Sequence, residues 1–179
     1  MLEKRFNFKD VESELLRSWD SADTFKFKKE KENPPFCIMM PPPNVTGSLH
    51  MGHALTFTLQ DILIRYNKKF GRNVLWQPGT DHAGIATEIV VEKQLEKNEK
   101  KQKKNFTRNE FIEKIWDWKK QSGNKITNQM NRLGTSVDWS VSKFTMDNDL
   151  SRVVSDVFIQ LFDEGLIYKD KRLVNWDPK

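Results

Sequence analysis

The sequence predicts an α/β fold in which short parallel strands alternate with helices. Two observations carry this. Brief apolar runs at Phe36–Met40 and Asn73–Trp76 are bounded by proline or glycine, a length and setting that favour strands. Between them, about Ser48–Lys69 brings Leu49, Leu55, Leu59, Ile62, Leu63 and Tyr66 near one helical face, with Gly71 as the stop. Strand, helix, strand is a βαβ unit, which calls for adjacent parallel strands and a right-handed crossover.

The elements follow in order. Val11, Leu15, Leu16 and Trp19 recur at helical spacing, so a short amphipathic helix is expected to pack on the domain. The strand Phe36–Met40 comes next, and its thiol, Cys37, is expected to be buried. Pro41-Pro42-Pro43-Asn44-Val45-Thr46-Gly47 then forms a stiff loop, because prolines do not enter a helix interior. After the second strand and Gln77-Pro78-Gly79, a third helix covers Ile85–Glu96. The basic tract Glu96–Asn105 reads as an exposed loop or frayed helix end. A long helix runs from about Thr107 to Arg132. Thr107 and Glu110 are spaced as a capping box, Phe111, Ile115, Trp118, Ile126 and Met130 face inward, and Gly123 is a candidate interruption. A last helix spans Asp147–Glu164 and stops at Gly165, and Leu166–Trp176 is β-like.

The composition bounds the class. With 179 residues, 37% hydrophobic and 31% charged, the chain fits a globular domain or part of a larger one. No run of about 18 apolar residues is present, so no membrane partner is expected. Met1–Arg5 leads into charged and aromatic residues rather than an apolar signal core, which makes the cytoplasm the expected address. A single cysteine excludes an internal disulfide and a Cys-rich zinc site. The net charge of +5 is compatible with polyanions such as ATP or RNA without requiring them.

The chemistry concentrates in two loops. The three histidines are His50, His53 and His82. His50-Met51-Gly52-His53 opens a helix, where free N–H groups and the positive dipole end attract an anion. Gly52 lacks a Cβ, so a flat base can lie against the backbone, and the two imidazoles can donate to phosphate oxygens. Asp81, in Gly79-Thr80-Asp81-His82-Ala83-Gly84, offers a carboxylate to a substrate ammonium. Both loops leave carboxyl ends of strands, where open parallel sheets bind ligands. The fold class is therefore the amino-terminal half of a Rossmann-type parallel-sheet nucleotide-binding domain, with flanking helices. Zinc held by the histidines is the alternative chemistry, but His50 and His53 straddle a helix start, and no metal site is assigned. A nucleotide-binding module without catalysis is the other alternative.

Pro43-Asn44-Val45-Thr46-Gly47-Ser48-Leu49-His50-Met51-Gly52-His53 resembles the signature of the class I aminoacyl-tRNA synthetases. The wider string from Pro41 to Leu55 and Trp76-Gln77-Pro78-Gly79-Thr80-Asp81-His82-Ala83-Gly84 look like the valyl-tRNA synthetase family in particular. Arg132-Leu133-Gly134, Asp138-Trp139-Ser140, Phe144-Thr145-Met146-Asp147 and Arg172-Leu173-Val174-Asn175-Trp176 extend the resemblance over nearly the whole chain.

The resemblance implies a valine–tRNA ligase that joins valine and ATP into valyl-adenylate and passes valine to tRNA(Val). It assigns His50 and His53 as catalytic. Pro43, Thr46, Gly47, His50, Gly52 and His53 would bind ATP, and Pro41, Asn44 and Asp81 would bind valine. ATP enters with Mg²⁺, and no tightly bound metal is implied. The complete enzyme is expected to be a monomer. The family's Lys-Met-Ser-Lys-Ser string does not occur in these residues, and members of the family are several times longer. The expectation is an amino-terminal piece, inactive alone. Its parts would be a helical lead-in over 1–34, the first part of the catalytic domain over 35–165, and a β-like connection toward an editing domain over 166–179.

Overall fold

The computed structural model describes residues 7–30 and 32–177. The stretch Met1–Arg5 and the closing Pro178-Lys179 lie outside them. The chain divides into two compact units, 1–144 and 145–179.

In the first unit the expected βαβ arrangement is present. β1 (Pro35–Met39) pairs in parallel with β2 (Asn73–Gln77), Phe36 opposite Val74 and Ile38 opposite Trp76, and α2 (Met51–Lys69) joins them. The ladder runs one step further, where the Met40 N–H donates to the Gln77 carbonyl at 3.0 Å. A second parallel pair joins β3 (Gly79–Thr80) to β4 (Lys143–Phe144). Gly79 suits this close pairing, because a Cβ would stand 3.0 Å from the Lys143 carbonyl oxygen and the backbone would have to give by a few tenths of an ångström.

The helices cover this frame. α1 (Phe8–Ser21) has no buried residue, yet Trp19 meets Phe25 edge-on with ring centroids 5.1 Å apart, and Glu12 pairs with Arg132 at 2.9 Å. α3 (Ile85–Glu99) and α4 (Arg108–Arg132) share a small core in which Val91, Leu95 and Phe111 are buried. The main core joins Met40, Phe57, Ile64, Trp76, Ile126, Met130 and Val137. Trp76 lies at its centre, 2% exposed, with its indole N–H donating to Gln60 at 3.0 Å. The Thr107–Glu110 capping box forms as expected.

Three expectations are corrected, and packing settles which face of α2 is covered. The stripe Leu55, Leu59, Ile62, Leu63 and Tyr66 of α2 is exposed, and the buried positions are Phe57, Ile64 and Asn67. α2 is apolar on more than one side, so periodicity alone could not choose the covered face. Cys37 is exposed, because the two-residue period turns it to the face opposite Phe36 and Ile38. Gly123 does not interrupt α4; the burial of Phe111, Ser122, Ile126 and Met130 offsets a cost of about 1 kcal/mol for one helical glycine. Finally, 166–177 contains no strand, since a strand exists only through a ladder partner.

The second unit is built on α5 (Asn148–Asp163), which ends at Gly165 with φ +73°. None of its residues is buried, and Val153, Val157, Phe158 and Phe162 remain exposed. No helix among the described residues is long and apolar enough to cross a membrane.

Candidate nucleotide site

The helix start after the proline loop is closed by its own histidines. His50 is the N-cap of α2, in extended conformation. Its Nδ1 accepts the Gly52 N–H at 3.1 Å, and its own N–H donates to Nδ1 of His53 at 3.3 Å. The ring centroids are 4.0 Å apart. Two N–H groups that the sequence left open to an anion are thus taken by imidazole. The consequence is a defined tautomer: a neutral imidazole whose Nδ1 accepts carries its proton on Nε2. Burial first, and the neighbouring His50 second, push the pKa of His53 below its ordinary value. At neutral pH His53 is an uncharged Nε2–H donor.

Gly52 is required for this geometry. A Cβ there would stand 2.9 Å from Cε1 and 3.1 Å from Nδ1 of His50, inside the space the capping ring occupies.

A cleft of about 630 Å³ runs along the loop and the helix start. Its lining includes Pro41, Pro43, Asn44, Thr46, Gly47, His50, Gly52 and His53, together with Pro42, Ser48, Leu49, Thr56 and Phe57. Asp81 is not in that lining. It is joined to it through the main chain: the Asp81 N–H donates to the Pro43 carbonyl and the Val45 N–H donates to the Asp81 carbonyl, each at 2.9 Å.

The Asp81 carboxylate shapes its own turn. Oδ1 accepts the Ala83 N–H at 3.0 Å and stands 3.3 Å from Nδ1 of His82. Ala83 and Gly84 follow with φ +53° and +52°, a reversal that delivers the chain into α3. Gly84 is the N-cap of α3 and no side chain caps it, so Asp81 holds the turn rather than the helix. The buried Thr87 hydroxyl secures that turn by donating to the His82 carbonyl at 2.6 Å. Among the described residues, no group of three or more His, Cys, Asp and Glu is placed to hold a metal ion.

Three residues of α4 that the sequence reading did not single out for the site also reach the loop. Trp118 Nε1–H donates to the Val45 carbonyl at 2.8 Å. The Ser122 hydroxyl donates to the Gly47 carbonyl at 3.2 Å, and the Leu49 N–H donates to Gln129 Oε1 at 2.8 Å. The available signal was a serine and a glutamine on the inward stripe of Trp118 and Ile126.

The structure is a parallel-stranded α/β half-domain of the Rossmann type, with a His-x-Gly-His segment opening the helix after its first strand. Residues 14–179 match the family described as tRNA synthetases class I (I, L, M and V), and the chain belongs to that family. It is 55% identical over 181 aligned positions to a valine–tRNA ligase of Rhodopseudomonas palustris, covering 100% of this chain and 19% of that protein. A valine–tRNA ligase of Buchnera aphidicola subsp. Schizaphis graminum is 54% identical over 99% of this chain and 18% of its own length. The chain thus spans about a fifth of the length of these relatives. The same fold occurs in the LeuRS of Agrobacterium radiobacter K84, solved in a ternary complex with tRNA and LeuAMS. The TM-score is 0.77 at 22% identity, over 97% of this chain and 20% of that one.

Proposed function

We propose that this chain carries the ATP site and part of the amino-acid site of a valine–tRNA ligase. One observation carries the reading: the residues expected at the nucleotide line one cleft, and both imidazoles there have Nδ1 occupied and Nε2–H left to donate. In this proposal His50 and His53 donate to the ATP phosphates. Gly52 underlies the adenine, and Pro43, Thr46 and Gly47 line the nucleotide. Pro41 walls the valine side chain, and Asn44 and Asp81 hold its α-ammonium.

The reaction needs no covalent bond to the protein. A valine carboxylate oxygen attacks the α-phosphorus, the bond to the bridging oxygen breaks, and pyrophosphate leaves. A ribose hydroxyl of tRNA(Val) then attacks the acyl carbon and AMP leaves. The protein contributes position and hydrogen bonds that strengthen as charge grows on the α-phosphate. Mg²⁺ would enter with ATP as part of the substrate and would supply charge neutralisation at its phosphates. In domain terms, 1–34 is a lead-in, 35–165 the first part of the catalytic domain and 166–179 a connection beyond it. In this reading the address is the cytoplasm and the complete enzyme is a monomer.

The test replaces the matched segment of the Rhodopseudomonas palustris relative with this chain. Valine-dependent ATP–pyrophosphate exchange is then measured. His50→Ala and His53→Ala should each lower exchange by about 10²–10³-fold. Exchange indifferent to both substitutions would remove the histidines from the site. Exchange driven equally by leucine would overturn the valine assignment.

A further inference from the structure

We propose that α4 is a positioning element for the nucleotide loop. Trp118, Ser122 and Gln129 fix the main chain at Val45, Gly47 and Leu49, and through Leu49 they fix the paired capping of His50 and His53. The three hydrogen bonds are 2.8, 3.2 and 2.8 Å long and fall on alternate residues of the loop. All three meet main-chain atoms, so they set the path of the backbone whatever side chains the loop carries. The loop has need of such ties. Its prolines have no N–H to donate, and it has left the β1–β2 ladder after Met40, pairing again only at the Asn44–Asp81 bridge. Leu49 directly precedes the N-cap, so the bond from its N–H to Gln129 sets where His50 begins the helix.

Ser122 is only 4% exposed, and a hydroxyl buried on the inward face of a helix is unfavourable unless it is bonded. Its acceptor is the Gly47 carbonyl, inside the loop that lines the cleft. The plainer account is that these bonds merely satisfy buried polar atoms. On that account their loss lowers stability and leaves the imidazoles as they are.

Imidazole ¹⁵N shifts separate the two accounts in this chain, at a pH where the rings are neutral. In the wild type, His50 and His53 should both show an unprotonated Nδ1 and a protonated Nε2. Gln129→Leu should shift both toward mixed tautomers. Gln129→Glu, which keeps an oxygen to accept the Leu49 N–H, should restore the wild-type pattern. His82, in the other loop, should not move. An ATP titration followed on the same signals rests on the proposed function, and Gln129→Leu should weaken binding about 10-fold. If Gln129→Leu does not fold, Ser122→Ala and Trp118→Phe carry the same expectation for both rings. Unmoved His50 and His53 in a folded variant, or an equal shift of His82, would overturn the proposal. A wild-type chain that binds no ATP would count against the nucleotide reading alone, and the imidazole pattern would still decide the positioning role.

Discussion

Asn44 and Asp81 lie opposite one another in a parallel bridge, the flanking Pro43 and Val45 exchanging hydrogen bonds with both main-chain groups of Asp81. Pairing therefore resumes after the ladder of β1 and β2 has ended at Met40 and Gln77. The proline loop and the Gly-Thr-Asp-His loop are coupled through backbone. Substitutions on one loop that spare the main chain should leave the other in place.

Gly52→Ala separates stability from binding. The new methyl displaces the His50 ring from 2.9 Å contact and removes a cap worth about 1 kcal/mol, while alanine returns about 0.5–1 kcal/mol in helix propensity. Denaturation free energy should stay within about 1 kcal/mol of the wild type, whereas ATP binding to the chain should fall. Unchanged ATP affinity would contradict the role given to the His50 ring.

His53 should make folding pH-dependent. Its folded pKa is held below the ordinary 6.5 by burial and then by His50, so the unfolded chain binds the proton more readily. The sign follows: the full stability is present above about 6.5 and is lost as pH falls from there through the lower folded value. Urea midpoints between pH 5 and 8 should slope accordingly, and His53→Gln should flatten that part of the profile. An identical slope in the variant would assign it elsewhere.

Gly123→Ala should stabilise the chain by about 0.5–1 kcal/mol, since a Cβ there meets nothing within 4 Å and the site is helical. Chemical denaturation of the two proteins measures this directly. A loss of stability would show that α4 needs flexibility at that turn.

Asp138→Ala should cost about 2 kcal/mol. Burial raises the carboxyl pKa, but the N–H groups of Phe27 and Ser140 and the Ser140 hydroxyl outweigh it and hold the group ionised below its ordinary range. The bond to Phe27 is 2.8 Å long and ties the segment after α1 to the Trp139 turn. Hydrogen exchange at the Phe27 amide should quicken in the variant, and protection equal to wild type would show that other contacts hold the segment.

The sequence alone determined the order of α1, β1, α2, β2, α3, α4 and α5, though not the short β3–β4 pair, because each of those elements' signals is local. Helical spacing, the Thr107–Glu110 box, prolines after β1 and glycines at Gly71 and Gly165 all act within a few residues of the structure they produce. It also pointed to His50, Gly52, His53 and Asp81, since the order of strand, loop and helix already puts both loops at carboxyl ends of strands. Tertiary structure decided the rest. It chose Phe57, Ile64 and Asn67 rather than Leu55, Leu59 and Tyr66 as the covered side of α2, and it left Cys37 open. It carried α4 through Gly123 and withheld a strand from 166–177. It bonded Trp118, Ser122 and Gln129 to loop residues 73, 75 and 80 positions away. Periodicity states that a face is apolar or that a segment favours extension. Burial and pairing depend on a partner brought close by the whole fold, and no local pattern names that partner.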